Sequence, residues 1–152
     1  MQKRTLVLGS GNRHKLREVS LFFSTLPVIL RVAGDFGSFA PEETGSTFQE
    51  NSLIKALASL RLTEAWSFAD DTGLEVDALD GQPGVFSSRF AGEGCSYADN
   101  VKKLLLEMKA VPVKNRTARF VCVVAFCRKE AQPVFFQGVC NGIILPESKG
   151  TA

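Results

Sequence analysis

Apolar residues along the chain recur in two rhythms, short unbroken runs and spacings of three and four, and together they predict alternating strands and helices. Thr5 to Leu8 (TLVL) is a short apolar run closed by Gly9, Ser10 and Gly11, the pattern of a buried strand ending in a tight turn. From Arg13 to about Leu26 the residues Leu16, Val19, Phe22, Phe23 and Leu26 mark a helical face, and Pro27 ends it. Val28 to Val32 predicts a second strand and Gly34 to Pro41 a loop, after which come Glu42 and Glu43. A second helix begins at Thr47, whose hydroxyl can form a capping box with Glu50, and Leu53, Leu57 and Leu60 predict its buried stripe. Asn51 and Lys55, four apart, share another face of that helix.

The central stretch runs from Ser67 to Gly92. Ser67 to Ala69 predicts a short strand ending at Asp70 and Asp71, Thr72 and Gly73 a turn, and Leu74 to Leu79 renewed extended structure. A third helix is expected from about Ser96 to Met108. Ala118 to Arg128 (ARFVCVVAFCR) reads as a central strand buried on both faces. Gln132 to Leu145 supplies one or two more strands, with a bend or hairpin at Asn141 and Gly142, and Pro146 to Ala152 closes the chain.

Composition narrows the class. With 152 residues, 45% hydrophobic and 22% charged, the chain has room for one domain with a sizeable core. A formal charge of +2 provides no broad basic field, so nucleic acid is not an expected partner and any anion is held locally. No apolar run approaches the roughly 20 residues that span a bilayer, and the opening MQKRTLVLGSG does not read as a secretory signal, which points to a soluble intracellular protein. Cys95, Cys122, Cys127 and Cys140 form no CxxC pair and are expected to be reduced thiols, three of them in apolar, β-rich surroundings.

Two constellations carry candidate chemistry. In Ser10 to Lys15 (SGNRHK), glycine lets backbone amides approach an anion, the helix N-terminus favours negative charge and Lys15 adds a cation; a plain strand-to-helix turn is the alternative. His14, the single histidine, reads as a surface or packing residue. In the central stretch four acids, Asp70, Asp71, Glu75 and Asp77, lie within eight positions before Gly81, Pro83, Gly84 and Arg89, suggesting a metal and phosphate site. Joined to Glu43, Asn51 and Lys55, the Asp70–Asp71 pair offers the one or two carboxylates that magnesium commonly takes alongside substrate phosphates. Neighbouring carboxylates repel unless a cation lies close, so one is expected. The alternative is a solvated acidic turn. Arg89 either binds phosphate or forms an ion pair that holds the turn against the acidic segment, and Phe86 and Phe90 beside it read as packing residues.

With these residues assembled, the chain resembles the inosine triphosphate pyrophosphatase family, the XTP/dITP diphosphatases. The resemblance rests on LVLGSGNRHKLREV, EETGSTFQENSLIKA, ADDTGLEVDALDGQPGVFSSRFAG, ARFVCVVAF and NGIILPESKGT, in order along nearly the whole chain. It implies an α/β fold with a central mixed β-sheet flanked by helices, two lobes with a nucleotide cleft, a homodimer, and a cytoplasmic location. It also implies magnesium-dependent hydrolysis of dITP, ITP or XTP to the monophosphate and pyrophosphate. Carried over by motif, Ser10, Gly11, Asn12, Arg13, His14 and Lys15 bind the triphosphate, Glu43 and Asp71 hold Mg2+, Asp71 accepts a proton, Thr72 contacts substrate, and Lys15, Lys55 and Asp70 assist catalysis. Arg89 joins the substrate-binding residues. Family members continue beyond the Gly150–Thr151 pair with a GFGYDP-type segment and later a lysine and a Ser-His-Arg element that grip the base. Here Ala152 is the last residue, so the expectation is a single domain, 1–152, carrying the phosphate and metal half without the base-recognition segment. Two other readings are a Maf-type pyrophosphatase preferring UTP or dTTP, and an inactive nucleotide-binding or oligomerising remnant.

Overall fold

A computed structural model describes residues 3–149, so the Gly150–Thr151 pair lies outside the described residues. Five strands, β1 (Arg4–Leu8), β2 (Val28–Val32), β3 (Trp66–Val76), β4 (Thr117–Cys127) and β5 (Val134–Ile143), form one sheet in the order β2-β1-β3-β4-β5. The helices are α1 (Arg13–Phe23), α2 (Phe48–Thr63) and α3 (Tyr97–Glu107). The expected α/β architecture, a mixed sheet with helices, is what forms. No helix among the described residues is long and apolar enough to cross a membrane.

The chain divides into two compact units, Met1–Asp71 with Val123–Gln137, and Thr72–Cys122 with Gly138–Ala152. In the first, β1 runs parallel to both neighbours, with Leu8 opposite Val32 on β2 and Phe68 on β3. Alternation along the strands separates two apolar layers. On one face Leu6, Leu8, Val32 and Phe68 are buried under Leu16, Val19 and Phe23 of α1, with Val124 and Phe126. On the other, Ala69, Ala125 and Cys127 pack with Ala56 and with Leu53, Leu57 and Leu60 of α2. Helices α1 and α2 therefore cover opposite faces.

Several expectations are corrected. Phe22 is 81% exposed, because it lies about a third of a helical turn from the sheet-facing positions 16 and 23. In α2 the fully buried positions are Asn51, Ser52, Ala56 and Ser59 rather than the leucines, which flank them half-buried; the small side chains of Ser52, Ala56 and Ser59 let this helix approach the sheet closely. The Thr72–Gly73 turn does not form. β3 is continuous through Asp70, Asp71, Thr72 and Gly73, beyond the Phe68 end of its ladder with β1, since a strand paired in the sheet satisfies its backbone there and overrides local turn preference.

In the second unit, Val76, Met108 and Ala118 form a core with Leu74, Leu104 and Val111. Ser96 caps α3 in a box with Asp99, and Met108 is its C-cap, as the expected helix bounds require. β4 has no exposed residue over 121–127, but its first part is less covered, with Phe120 54% exposed. β5 is one strand through Asn141 and Gly142, so no hairpin forms there, and as the last strand in the order it leaves Cys140 exposed, against the expectation of a core thiol. All four cysteines are free, and Cys127 is buried.

Candidate active site

Strand order β2-β1-β3 makes the gap between β1 and β3 a topological switch point. The chain leaves β1 for β2 on one side and returns to β3 on the other, and the loops beyond the carboxyl ends diverge to leave a crevice, where ligands bind in open α/β sheets. The ladder between the two strands ends at Leu8 and Phe68. Both sequence constellations start just beyond it.

After β1 the backbone turns tightly. Gly9 donates its N–H to the Phe68 carbonyl at 2.7 Å, and a Cβ at Gly9 would stand 2.9 Å from the Lys55 carbonyl oxygen and 3.0 Å from Ala69 Cβ, so only glycine fits against the backbone of α2. Ser10 Oγ accepts the Asn12 N–H at 3.0 Å, and Asn12 Oδ1, as N-cap of α1, accepts the His14 N–H at 2.8 Å. Gly11, Asn12, Arg13 and His14 are all exposed, and Lys15 is half-buried. The Lys15 ammonium reaches across to Asp70 at 2.6 Å.

Asp71, next on the strand, points to the opposite face. There the Lys55 ammonium donates to Asp71 Oδ1 at 2.9 Å and to Glu43 Oε2 at 3.0 Å. Asn51 Nδ2 is 3.4 Å from Asp71 Oδ2, while Asn51 Oδ1 accepts the Gly45 N–H at 2.8 Å and so ties the segment carrying Glu43 to α2. The helix start is held by the expected capping box, Thr47 with Glu50. Burial alone drives the Lys55 ammonium toward its neutral form, but the hydrogen bonds and charge of Asp71, and then of Glu43, outweigh it and leave the pKa raised. Among the described residues no buried side-chain nitrogen or oxygen lacks a partner.

Expected residues are thus grouped as Lys15–Asp70 on one face and Glu43–Lys55–Asp71, with Asn51, on the other. Thr72 is exposed on β3, and Arg89 is half-buried with its guanidinium 5.1 Å from the Phe86 ring centroid; both belong to the second unit. Glu75 and Asp77 leave the acidic cluster: Arg119 holds Glu75 at 2.7 Å and Asp77 at 3.0 Å, and Thr117 donates to Asp77 at 2.6 Å. The cation that braces the acidic segment is Arg119, 42 positions beyond Asp77, a separation that no local pattern reveals. Arg13 is paired with Asp35 at 2.7 Å, also unforeseen.

No group of three or more His, Cys, Asp or Glu among the described residues is arranged to hold a metal. The site instead offers two carboxylates, Glu43 and Asp71, that already converge on one ammonium. That hard-oxygen donor set suits magnesium, which completes its shell with water and substrate phosphates.

A family model described as the Ham1 family matches residues 6–152. The chain belongs to the Ham1 family. This Ham1 chain is 44% identical to the dITP/XTP pyrophosphatase of Geobacter sulfurreducens over 147 residues, which span 96% of this chain and 74% of that relative. It is 50% identical to the dITP/XTP pyrophosphatase of Halalkalibacterium halodurans over 146 residues, 95% of this chain and 75% of the relative. Among solved structures it is similar to a HAM1 protein from Coxiella burnetii, with a TM-score of 0.90 and 37% identity over 97% of this chain and 76% of that one. The Ham1 protein of Staphylococcus aureus gives a TM-score of 0.88 and 33% identity, covering 98% and 76%. The family read from the sequence motifs and the family matched are the same.

Proposed function

We propose that this Ham1 chain hydrolyses the triphosphates of aberrant purine nucleosides, dITP, ITP and XTP, to the monophosphate and pyrophosphate, with Mg2+ as cofactor. The observation that carries the reading is the convergence of Glu43 and Asp71 on Lys55 beside a glycine-rich strand-to-helix turn, at the switch point of the sheet, in a chain this similar to dITP/XTP pyrophosphatases.

In this reading the turn from Ser10 to Lys15 receives the triphosphate, with backbone amides and the Lys15 ammonium directed at its oxygens. Glu43 and Asp71 would hold magnesium, whose charge would offset that of the phosphate oxygens. Water attacks the α-phosphorus, the bond from that phosphorus to the bridging oxygen breaks, and pyrophosphate leaves with the bond electrons. The proton of the attacking water passes to the Asp71 carboxylate, which is nearly buried and has Lys55 to hold its orientation. Lys15 and Lys55 stabilise charge on the leaving group, and Asp70 keeps Lys15 in place. Thr72 and Arg89 are assigned to substrate contact. The same reading takes the protein to be a cytoplasmic homodimer acting as one catalytic domain, and sedimentation equilibrium tests the dimer.

The test of the activity is magnesium-dependent release of pyrophosphate from dITP, XTP and dATP by purified protein. Turnover of dITP and XTP well above dATP is expected. No turnover of any of the three by folded protein would overturn the proposal.

A further inference from the structure

The Ser10–Lys15 turn is held by a partner that its own sequence does not suggest. Residues Ala33–Asp35, a 3-10 turn directly after β2, dock onto it at three places. The Gly34 N–H donates to the Ser10 carbonyl at 3.3 Å, and a Cβ at Gly34 would stand 3.1 Å from Gly11 Cα, so the two backbones touch. The third contact is ionic. Asp35 Oδ1 accepts from the Arg13 guanidinium at 2.7 Å, while Oδ2 accepts from Arg31 Nε at 3.0 Å.

The partners differ in exposure. The Asp35 side chain is 13% exposed and that of Arg13 75%. Arg31 is fixed on β2 opposite Val7 of β1, and its guanidinium lies 5.1 Å from the Phe36 ring centroid. Asp35 is therefore anchored to the sheet through Arg31 and presents its second oxygen to an exposed cation at the first position of α1. With its charge committed to a carboxylate, Arg13 is poorly placed to act as an independent phosphate ligand.

We propose that Asp35 is a positioning residue: through Arg13 it pins the Ser10–Asn12 turn to the end of β2, and so keeps the turn's backbone amides set to receive a polyphosphate. The inference rests on the reading above that this turn takes the triphosphate. Arg13 then serves as the clasp and Lys15 as the cation that meets the anion. Because the residues hold the turn alike before and during reaction, their loss weakens uniform binding, raising KM and leaving kcat in place.

The experiment measures binding of inorganic tripolyphosphate by titration calorimetry, alongside KM and kcat for dITP, in wild type, Asp35→Asn, Arg13→Gln and the double variant, well below each variant's unfolding temperature. Each single variant is expected to raise the tripolyphosphate Kd and the KM by about three- to fivefold, the scale of one exposed ion pair, with kcat unchanged. The double variant is expected to match Asp35→Asn, because that single variant already removes the Arg13–Asp35 pair along with the Arg31–Asp35 pair. Asp35→Glu, which retains the charge, is expected to restore most of the affinity. Tighter binding by Asp35→Asn would overturn the proposal by showing that Asp35 competes with phosphate for Arg13; unchanged binding, or additive losses in the double variant, would overturn it too. Wild type that binds tripolyphosphate without hydrolysing dITP would refute the function proposed above and leave the binding prediction for Asp35 to be judged by the calorimetry alone. Wild type that fails to bind tripolyphosphate refutes the positioning role.

Discussion

Replacing Lys55 with Met keeps most of the stem and removes the one ammonium that Glu43 and Asp71 share. Breaking a fully buried ion pair by deleting one partner costs about 3–5 kcal/mol, and an exposed pair contributes about 0–1 kcal/mol. The triad lies between these limits. The side chains of Lys55 and Asp71 are 15% and 12% exposed, whereas Glu43 at 36% is screened by water and adds little. Most of the loss is the uncompensated Asp71 carboxylate, which keeps the 3.4 Å contact from Asn51, giving about 2 kcal/mol in metal-free buffer. For a chain of this size that is a fall in Tm of about 4–8 °C.

The same variant reports on the metal. A divalent ion that binds the folded state stabilises it by about 1.4 kcal/mol at ten times its Kd, or about 3–6 °C. In wild type the ammonium of Lys55 competes for the same two carboxylates, so magnesium is expected to raise Tm less there than in Lys55→Met. The assay is differential scanning fluorimetry in EDTA and across a magnesium series, with far-UV circular dichroism to show that the variant is folded. A metal-free Tm within about 1 °C of wild type would refute the energetic argument, since that corresponds to well under 1 kcal/mol. Equal magnesium gains in the two proteins would refute the convergence of metal and lysine on one donor pair.

Other perturbations probe neighbouring steps. Asp71→Asn is expected to lower pyrophosphate release from dITP by about 10²–10⁴-fold, the usual contribution of a general base, with the circular dichroism spectrum unchanged; half of the wild-type rate remaining would remove Asp71 from that role. Gly45→Ala would place a Cβ 2.6 Å from Asn51 Oδ1 and 2.7 Å from Glu50 Cβ, and is expected to lose about 1–3 kcal/mol in urea denaturation. An unshifted midpoint would show that the segment carrying Glu43 yields freely. Because the folded-state pKa of Lys55 lies above its ordinary 10.5, its stabilising contribution is full below that pH and is lost as pH rises through the raised value. Wild-type Tm is therefore expected to fall more steeply above pH 10.5 than that of Lys55→Met, and parallel curves would refute this.

What the sequence made legible was local in origin. The Thr47–Glu50 box is a three-residue relation, and it marks the start of α2. Asn51 and Lys55, placed on one face by helical spacing, both reach Asp71. The glycine-rich turn after β1 was visible as well, though the reason for Gly9, the approach of the α2 backbone, was not. The misread parts depend on partners distant in the chain. Turn preference at Thr72–Gly73 and Asn141–Gly142 yields to sheet pairing, as neighbouring strands supply the hydrogen bonds that a turn would otherwise provide. Arg119 and Asp35 went unnoticed because a charged side chain among many carries no mark of which distant carboxylate or cation it will meet.

The adjacent pair Asp70–Asp71 shows how topology changes the meaning of a motif. Read as a loop, two neighbouring carboxylates repel and call for one cation between them. On a strand they project to opposite faces, and since α1 and α2 cover opposite faces of the sheet, each carboxylate meets a different lysine. The charges are not balanced equally. Lys15 and Asp70 form a neutral pair, whereas Lys55 faces both Glu43 and Asp71, leaving a formal charge of 1 − 2 = −1 on that face. The unbalanced negative charge lies on the face that contains both proposed magnesium ligands. A divalent cation held there would offset that excess. Charge imbalance, rather than the count of acids in the stretch, therefore distinguishes the proposed metal-binding carboxylates from Asp70; it does not distinguish them from Glu75 and Asp77, which share the single Arg119 and sum to the same 1 − 2 = −1.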